Sequence, residues 1–150
     1  MEFERARELL LLHSCGHPDF NNPKWSSGFL GSLRPYRGLN EDNLHEVMRA
    51  IVTVAPQVIH QPYVDREIVD ALFSLSWLAR SWGLHPNGML QRNHLIGDAD
   101  IERLEGWVEA IEWATSMLLG GADDASVEAI LDEALASYRQ VTDRDFPPDF

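Results

Sequence analysis

Apolar residues recur at intervals of three and four along most of the chain, which is the spacing of an amphipathic α-helix. With the capping and breaking residues, it predicts helices over 3–14, 40–55, 65–82, 98–119 and 124–138, and a shorter piece over 89–96. No segment alternates apolar and polar residues over a useful length, so no sheet is expected. The pattern therefore predicts an all-α fold, a single-domain bundle of about five helices.

Two of the predicted helices have well-marked ends. Asn40 and Asp65 precede apolar runs, and a short polar side chain at that position accepts a free backbone N–H. Pro56 is expected to end the helix that follows Asn40, and Gly83 the one that follows Asp65. Apolar residues surround most of the helix over 65–82, which predicts that it is the buried, central helix.

Residues 16–39 interrupt the helical pattern. Glycines and prolines recur through this segment, and they prevent any regular element from extending far. A loop of this length is uncommon in a compact domain. Its apolar residues, among them Phe20, Trp25 and Phe29, argue against disorder. We therefore expect one long packed loop, with a short helical turn near 28–33.

The length of 150 residues and the apolar content of 45% fit one globular domain, 1–150. An extended acidic and proline-containing tail is expected at about 141–150. Phe146 and Phe150 in this tail are costly to leave in water. They are expected to dock on the domain or on a second copy of the chain, so a homodimer is one alternative.

Acidic side chains outnumber basic ones by 24 to 12, for a net charge of −12. Residues 1–97 carry ten acidic and nine basic side chains (net −1), and residues 98–150 carry fourteen and three (net −11). Nucleic acid is not expected as a partner, because neutralising phosphates needs Lys and Arg. The asymmetry bears on association and solubility and not on the fold.

The clearest functional candidate is an acidic stripe on the helix over 98–119. Spacings of three and four place its carboxylates on one helical face. The stripe consists of Asp98, Glu102, Glu105, Glu109 and Glu112. The negative electrostatic field of this stripe would steer a basic protein partner to this face. The alternative is a solvated face that keeps the protein soluble.

A second candidate is the basic and aromatic part of the loop, formed by Lys24, Arg34, Tyr36 and Arg37. Arginines hold a carboxylate or phosphate by paired hydrogen bonds, and the neighbouring glycines would let a ligand approach the backbone. The glycine spacing matches no phosphate-loop or dinucleotide fingerprint. The alternative is that the arginines pair with acidic side chains elsewhere in the fold.

Histidines and the single cysteine are weaker candidates. His13, Cys15 and His17 lie close together in sequence, but their spacing matches no zinc motif, and neither a metal nor another cofactor is expected. One cysteine also excludes an internal disulfide. No motif positions a base or an oxyanion hole beside Cys15 or a serine. The sequence therefore favours a non-enzymatic function.

The compartment and function follow from these patterns. The N-terminus lacks a signal-peptide pattern, and no apolar run reaches the ~18 residues of a membrane helix, so a cytoplasmic location is expected. The predicted function is binding of a basic protein partner, as an immunity, inhibitor or regulatory protein binds its target. The alternative is a binding protein or enzyme for a small anionic ligand, held by the loop arginines and Tyr36 with a nearby histidine. The histidine candidates are His13, His17 and His45.

Overall fold

The computed structural model describes residues 1–120 and, beyond them, Ala129, Asp132, Glu133, Ala136 and Arg139. The helices of residues 1–120 are α1 (Phe3–His13), α2 (Lys24–Ser27), α3 (Glu41–Ile59), α4 (Arg66–Ala79), α5 (Met89–Arg92) and α6 (Asp98–Gly120). A π-helical turn, Arg80–Leu84, continues α4. The described residues contain no β-strand, and the all-α bundle is confirmed.

The four long helices enclose one apolar core. α1 and α6 each pack against both α3 and α4, so α3 and α4 lie on opposite sides of that core. The prediction that the helix over 65–82 is central is wrong. It is α4, it forms one wall of the bundle, and its Phe73 and Trp77 are 60% and 55% exposed. Its apolar residues encircle the helix, but only the side with Ile68, Leu72 and Leu75 is fully buried.

Side-chain caps begin α3 and α4, as predicted. Asn40 Oδ1 accepts the N–H of Asp42 at 3.0 Å, and Asp65 Oδ1 accepts the N–H of Glu67 at 2.8 Å. Each bond satisfies a backbone donor that the first helical turn leaves free. The two helix starts therefore lie where the sequence predicts them.

The end of α3 was predicted at Pro56, and this is wrong. The helix continues to Ile59, and both Val58 and Ile59 are buried. Pro56 is exposed and lies close to the end of the helix, where its missing N–H removes one hydrogen bond. Burying an aliphatic side chain contributes about 1.5–3 kcal/mol. Two such residues beyond the proline are enough to offset that loss.

The π-helical turn replaces the predicted end of the next helix. α4 ends at Ala79, and the next five residues, Arg80–Leu84, form a wider π-helical turn that ends the helical segment. Gly83 lies in this turn against α6, where an added Cβ would be 2.6 Å from Leu104 Cδ2. The missing side chain allows this close approach. The turn thereby places Arg80 beside α6.

The segment 16–39 is packed against the bundle, as predicted. Its fully or nearly buried apolar side chains are Phe29, Leu30 and Leu33. The short helix in this segment is α2, which precedes the predicted turn at 28–33. Asn22 Oδ1 accepts the N–H of Lys24, the first residue of α2, at 3.0 Å. Residues 28–33 form consecutive turns instead.

Two predictions lie largely or wholly outside the described residues. They are the apolar face of the helix over 124–138 and the tail at 141–150 with Phe146 and Phe150. The five positions described beyond residue 120 are helical and exposed. In the part of the chain that the structure describes, no helix is both long and apolar enough to cross a membrane.

Candidate functional site

The acidic stripe occupies the exposed side of α6 over most of its length. Asp98, Glu102, Glu105 and Glu109 are exposed, and Glu112 is half-buried. Among the residues that the structure describes, Glu112 is the only stripe member that forms an ion pair. The other four carboxylates face solvent and form no ion pair in this part of the chain.

Arg80 pairs with Glu112, the carboxylate at the C-terminal end of the stripe. Its Nε and NH2 groups donate to the two carboxylate oxygens of Glu112, each at 2.6 Å. The parallel arrangement is the strong, bidentate form of this pair. Hydrogen bonding to Glu112 raises the pKa of Arg80, and the charges of Glu109 and Glu105 raise it further. Arg80 thus lies in the field of the stripe but is already bonded to Glu112.

An apolar groove of about 390 Å³ lies between α4 and α6, beside the Arg80–Glu112 pair. Phe73 and Trp77 form its α4 side, and their rings stack with centroids 6.1 Å apart and planes 12° apart. Leu119 of α6 also lines it and is 45% exposed. Exposed aromatic side chains in a concave apolar surface are typical of interaction sites. We call this feature the α4/α6 groove.

A second groove, of about 530 Å³, adjoins the first. It shares Trp77 and Arg80 with the α4/α6 groove, and Glu105 is part of its lining. On α6 the residues that connect the two grooves follow at spacings of four and three, so they form one row along the helix. The row consists of Glu105, Glu109, Glu112, Ser116 and Leu119. The acidic stripe therefore leads directly into the apolar groove.

The sequence did not distinguish Phe73 and Trp77 from core residues. Their spacing of four on an apolar helix is equally typical of packing against a neighbour. A signal was nevertheless present. Arg66 and Asp70 precede them at helical spacing on the same face and are exposed, which indicates a face directed to solvent.

Two of the predicted ligand-binding residues are engaged in the fold. Lys24 Nζ lies 2.5 Å from Glu46 Oε2. Tyr36 donates its hydroxyl proton to Asp100 Oδ2 at 2.5 Å, and Asp100 also pairs with Arg103 at 3.6 Å. Burial, and then the bond to Asp100, raise the pKa of Tyr36. Tyr36 therefore ties the long loop to the start of α6.

The two loop arginines make different contacts. The Arg34 guanidinium lies 5.5 Å from the centre of the Trp82 ring, at cation–π distance. Arg37 donates from NH1 to the carbonyl oxygen of Ser26 at 3.1 Å. Both side chains are exposed. Lys24, Arg34, Tyr36 and Arg37 thus have separate partners, and binding of an anionic ligand there stays a prediction.

His13 is fully buried and occupies a fixed hydrogen-bonding position. Its Nδ1 accepts the N–H of Phe29 at 2.9 Å, so Nε2 carries the proton and donates to Glu46 at 2.9 Å. Burial lowers the pKa of His13 in spite of the opposing effect of Glu46. Hydrogen bonding to His13, and then to Lys24, lowers the pKa of Glu46 to about 2. With both ring nitrogens in use, His13 holds the loop in place and has no free nitrogen to act as a base.

The thiol of Cys15 is not activated by its neighbours. Its Sγ lies 3.8 Å from the Trp25 carbonyl oxygen, and burial raises the pKa of the thiol, which disfavours the nucleophilic thiolate. His17 Nδ1 accepts the N–H of Asp19 at 3.0 Å. Within the described residues, no group of three or more His, Cys, Asp or Glu side chains is placed to hold a metal ion.

Comparisons with known protein families, with characterised proteins and with solved structures show no match to this chain. No family is assigned. The chemistry of the α4/α6 groove and of the acidic stripe is therefore the basis for a functional proposal.

Proposed function

We propose that this chain is a non-enzymatic cytoplasmic interaction protein that binds a basic protein partner through the acidic stripe of α6, in the manner of an immunity, inhibitor or regulatory protein. The observation that carries the proposal is the exposure, along one helix, of four carboxylates that form no ion pair among the described residues. Like charges at these spacings cost about 0.2–0.5 kcal/mol per pair. Because these carboxylates repel one another and form no ion pair among the described residues, their surface is suited to binding basic side chains of another protein.

The charge layout supports a role in recognition. A concentrated negative field accelerates the encounter with a basic surface and disfavours acidic competitors. Within residues 1–120 the excess negative charge lies on α6, because residues 1–97 have a net charge of −1 and residues 98–120 carry six acidic side chains and one basic side chain (net −5). Partner capture by the stripe would accordingly be strongest at low ionic strength.

The proposal is tested by capture from a lysate of the source cells with three immobilised proteins. They are the wild type, the variant Glu105→Lys/Glu109→Lys, and the matched control Glu2→Lys/Glu4→Lys, which changes the net charge equally on exposed residues of the N-terminus. The wild type and the control are expected to retain the same basic protein. The stripe variant is expected to lose it.

Salt provides the second readout. Retention is expected to fall as ionic strength rises from about 0.05 M to 0.5 M, because the Debye length shortens over this range. Loss of the captured protein in both variants would show a non-specific charge effect. Retention by the stripe variant would refute the proposal.

A further inference from the structure

We infer that the α4/α6 groove and the adjoining acidic row receive one basic amphipathic helix of the partner protein. The inference rests on the proposed function and names the kind of segment that the surface binds. Apolar side chains of that helix would lie against Phe73, Trp77 and Leu119. Its basic side chains would lie beside Glu105 and Glu109.

The dimensions fit a helix of moderate length. The row from Glu105 to Leu119 spans 14 residue steps, or about 21 Å along α6 at 1.5 Å per residue. A partner helix of about four turns covers the same length. Binding of an amphipathic helix in a groove between two helices is an established mode of peptide recognition. The stacked Phe73–Trp77 pair supplies the large apolar anchor that such sites use.

Charge selects a basic partner over the chain itself. Among the described residues Glu105 and Glu109 form no ion pair, and Arg80, which lies close to them, is hydrogen-bonded to Glu112. Residues 121–150 carry eight acidic and two basic side chains (net −6), and a second copy of the chain carries −12. Either occupant would bring like charge to the acidic row. The contact that the structure describes between residues 121–150 and α6, from Trp113 Nε1 to Glu133 Oε2 at 3.2 Å, lies outside the groove lining. A basic amphipathic helix would bring opposite charge to the acidic row and would cover the apolar side chains of the α4/α6 groove.

The test uses a designed helical peptide of about 18 residues as the probe. Leucines at i, i+3, i+4 and i+7 form its apolar face, and lysines occupy the other positions. Two controls have the same length: one carries glutamate in place of lysine, and the other has the same composition in a scrambled order. Titration into the isotopically labelled full chain is followed by the indole N–H signals of the five tryptophans.

The expected result is saturable binding of the leucine–lysine peptide alone. The indole signal of Trp77 is expected to shift, and that of Trp25, which lies on the loop, to stay in place. Trp77→Ala is expected to raise the Kd about tenfold or more, as loss of a central aromatic anchor does. Tyr63→Ala is the matched control, because Tyr63 is 85% exposed and lies outside the groove. It is expected to leave the Kd unchanged.

Four results would overturn the inference. One is the absence of saturable binding, and another is a Kd that responds equally to Trp77→Ala and Tyr63→Ala. The third is a Trp77-dependent doubling of mass in sedimentation, which would make a second copy the occupant. The fourth is peptide binding that appears only in Phe146→Ser/Phe150→Ser, which would make the chain's own tail the occupant.

The same variants separate this inference from the proposed function. If the lysate partner requires Glu105 and Glu109 but is retained by Trp77→Ala, then the stripe binds it without the groove. In that case the proposed function stands and the helix inference fails. If the partner is indifferent to both sets of changes, both fail.

Discussion

Single hydrogen bonds fasten the long loop to the bundle, and their loss is measurable residue by residue. Tyr36 reaches Asp100 at the start of α6, and His13 of α1 accepts the N–H of Phe29. The buried side chain of Asn43 donates to the carbonyl oxygen of Ser27 at 2.9 Å. Three different helices thus hold a segment that has little regular structure of its own.

Removing the Tyr36 hydroxyl tests this fastening. Tyr36→Phe is expected to lower the free energy of unfolding by about 1–2 kcal/mol, because the bond to a charged carboxylate is lost and Asp100 keeps only Arg103. Denaturant titration measures the change. Tyr63→Phe removes a hydroxyl from a side chain that is 85% exposed and is expected to change nothing. Equal effects of the two variants would contradict a role for the Tyr36–Asp100 bond.

The buried His13 makes stability depend on pH in a defined direction. Its pKa is lowered in the folded state from an ordinary 6.5, so the unfolded chain binds the proton more tightly. Stability is therefore fully present above pH 6.5 and decreases as the pH falls below it. Glu46, with a pKa of about 2 against an ordinary 4.5, adds a second decrease between those values. Tm measured from pH 8 to pH 3 is expected to fall in these two steps.

Substitution identifies the group responsible for the first step. His13→Gln is expected to lower Tm at pH 8 and to remove the fall just below pH 6.5. His94→Asn is the matched control, because His94 is exposed and has a φ of 55° that asparagine tolerates. The control is expected to keep both steps. If it abolished the first step and His13→Gln did not, the assignment to His13 would be wrong.

At the scale of elements, the starts of α3 and α4 were predictable and their ends were not, while the ends of α1 and α6 lie within one residue of the predicted ones. The N-caps Asn40 and Asp65 act through a local hydrogen bond that is visible in a few residues of sequence. The end at Pro56 depends on how much burial lies beyond it, which only the packed structure supplies. The same holds for the π-helical turn, whose Gly83 matters because Leu104 is beside it.

The candidate site, too, was predictable from the sequence only in part. The acidic stripe was predictable, because the helical period alone places its carboxylates on one face. The groove was not, because the exposure of Phe73 and Trp77 depends on which side of α4 the other helices cover. Local chemistry is therefore evident in the sequence, while the concave surface arises from the arrangement of α4 and α6.

Replacing the proline of α3 tests the account of its C-terminal end. Pro56→Ala is expected to raise the free energy of unfolding by about 1–3 kcal/mol, because alanine restores the missing N–H and suits a helix interior. The gain is reduced by the greater flexibility of the unfolded chain. Thermal unfolding measures it. A lower Tm for Pro56→Ala would show that the ring itself contributes packing on the surface of α3.

At the scale of the whole molecule, the residues that form the core and the residues that form the acidic stripe are different sets. The core depends on the apolar faces of α1, α3, α4 and α6, whereas the carboxylates of the stripe lie on the outer side of α6. The carboxylates of the stripe repel one another, and within residues 1–120 only Glu112 among them forms an ion pair. The surface proposed for recognition therefore carries a small cost in stability, which added salt should relieve.

Raising NaCl from about 20 mM to about 0.5 M is expected to raise the Tm of the wild type by about 2–4 °C, because screening weakens repulsion between exposed like charges. Glu105→Lys/Glu109→Lys makes the contacts with Glu102 and Glu112 attractive, while the two new lysines still repel each other and now also repel Arg80. Its Tm at low salt is expected to match or slightly exceed that of the wild type, and its rise with salt to be smaller. A large loss of Tm in this variant would show that the two glutamates support the fold, and would remove the reason to treat them as a surface kept for a partner.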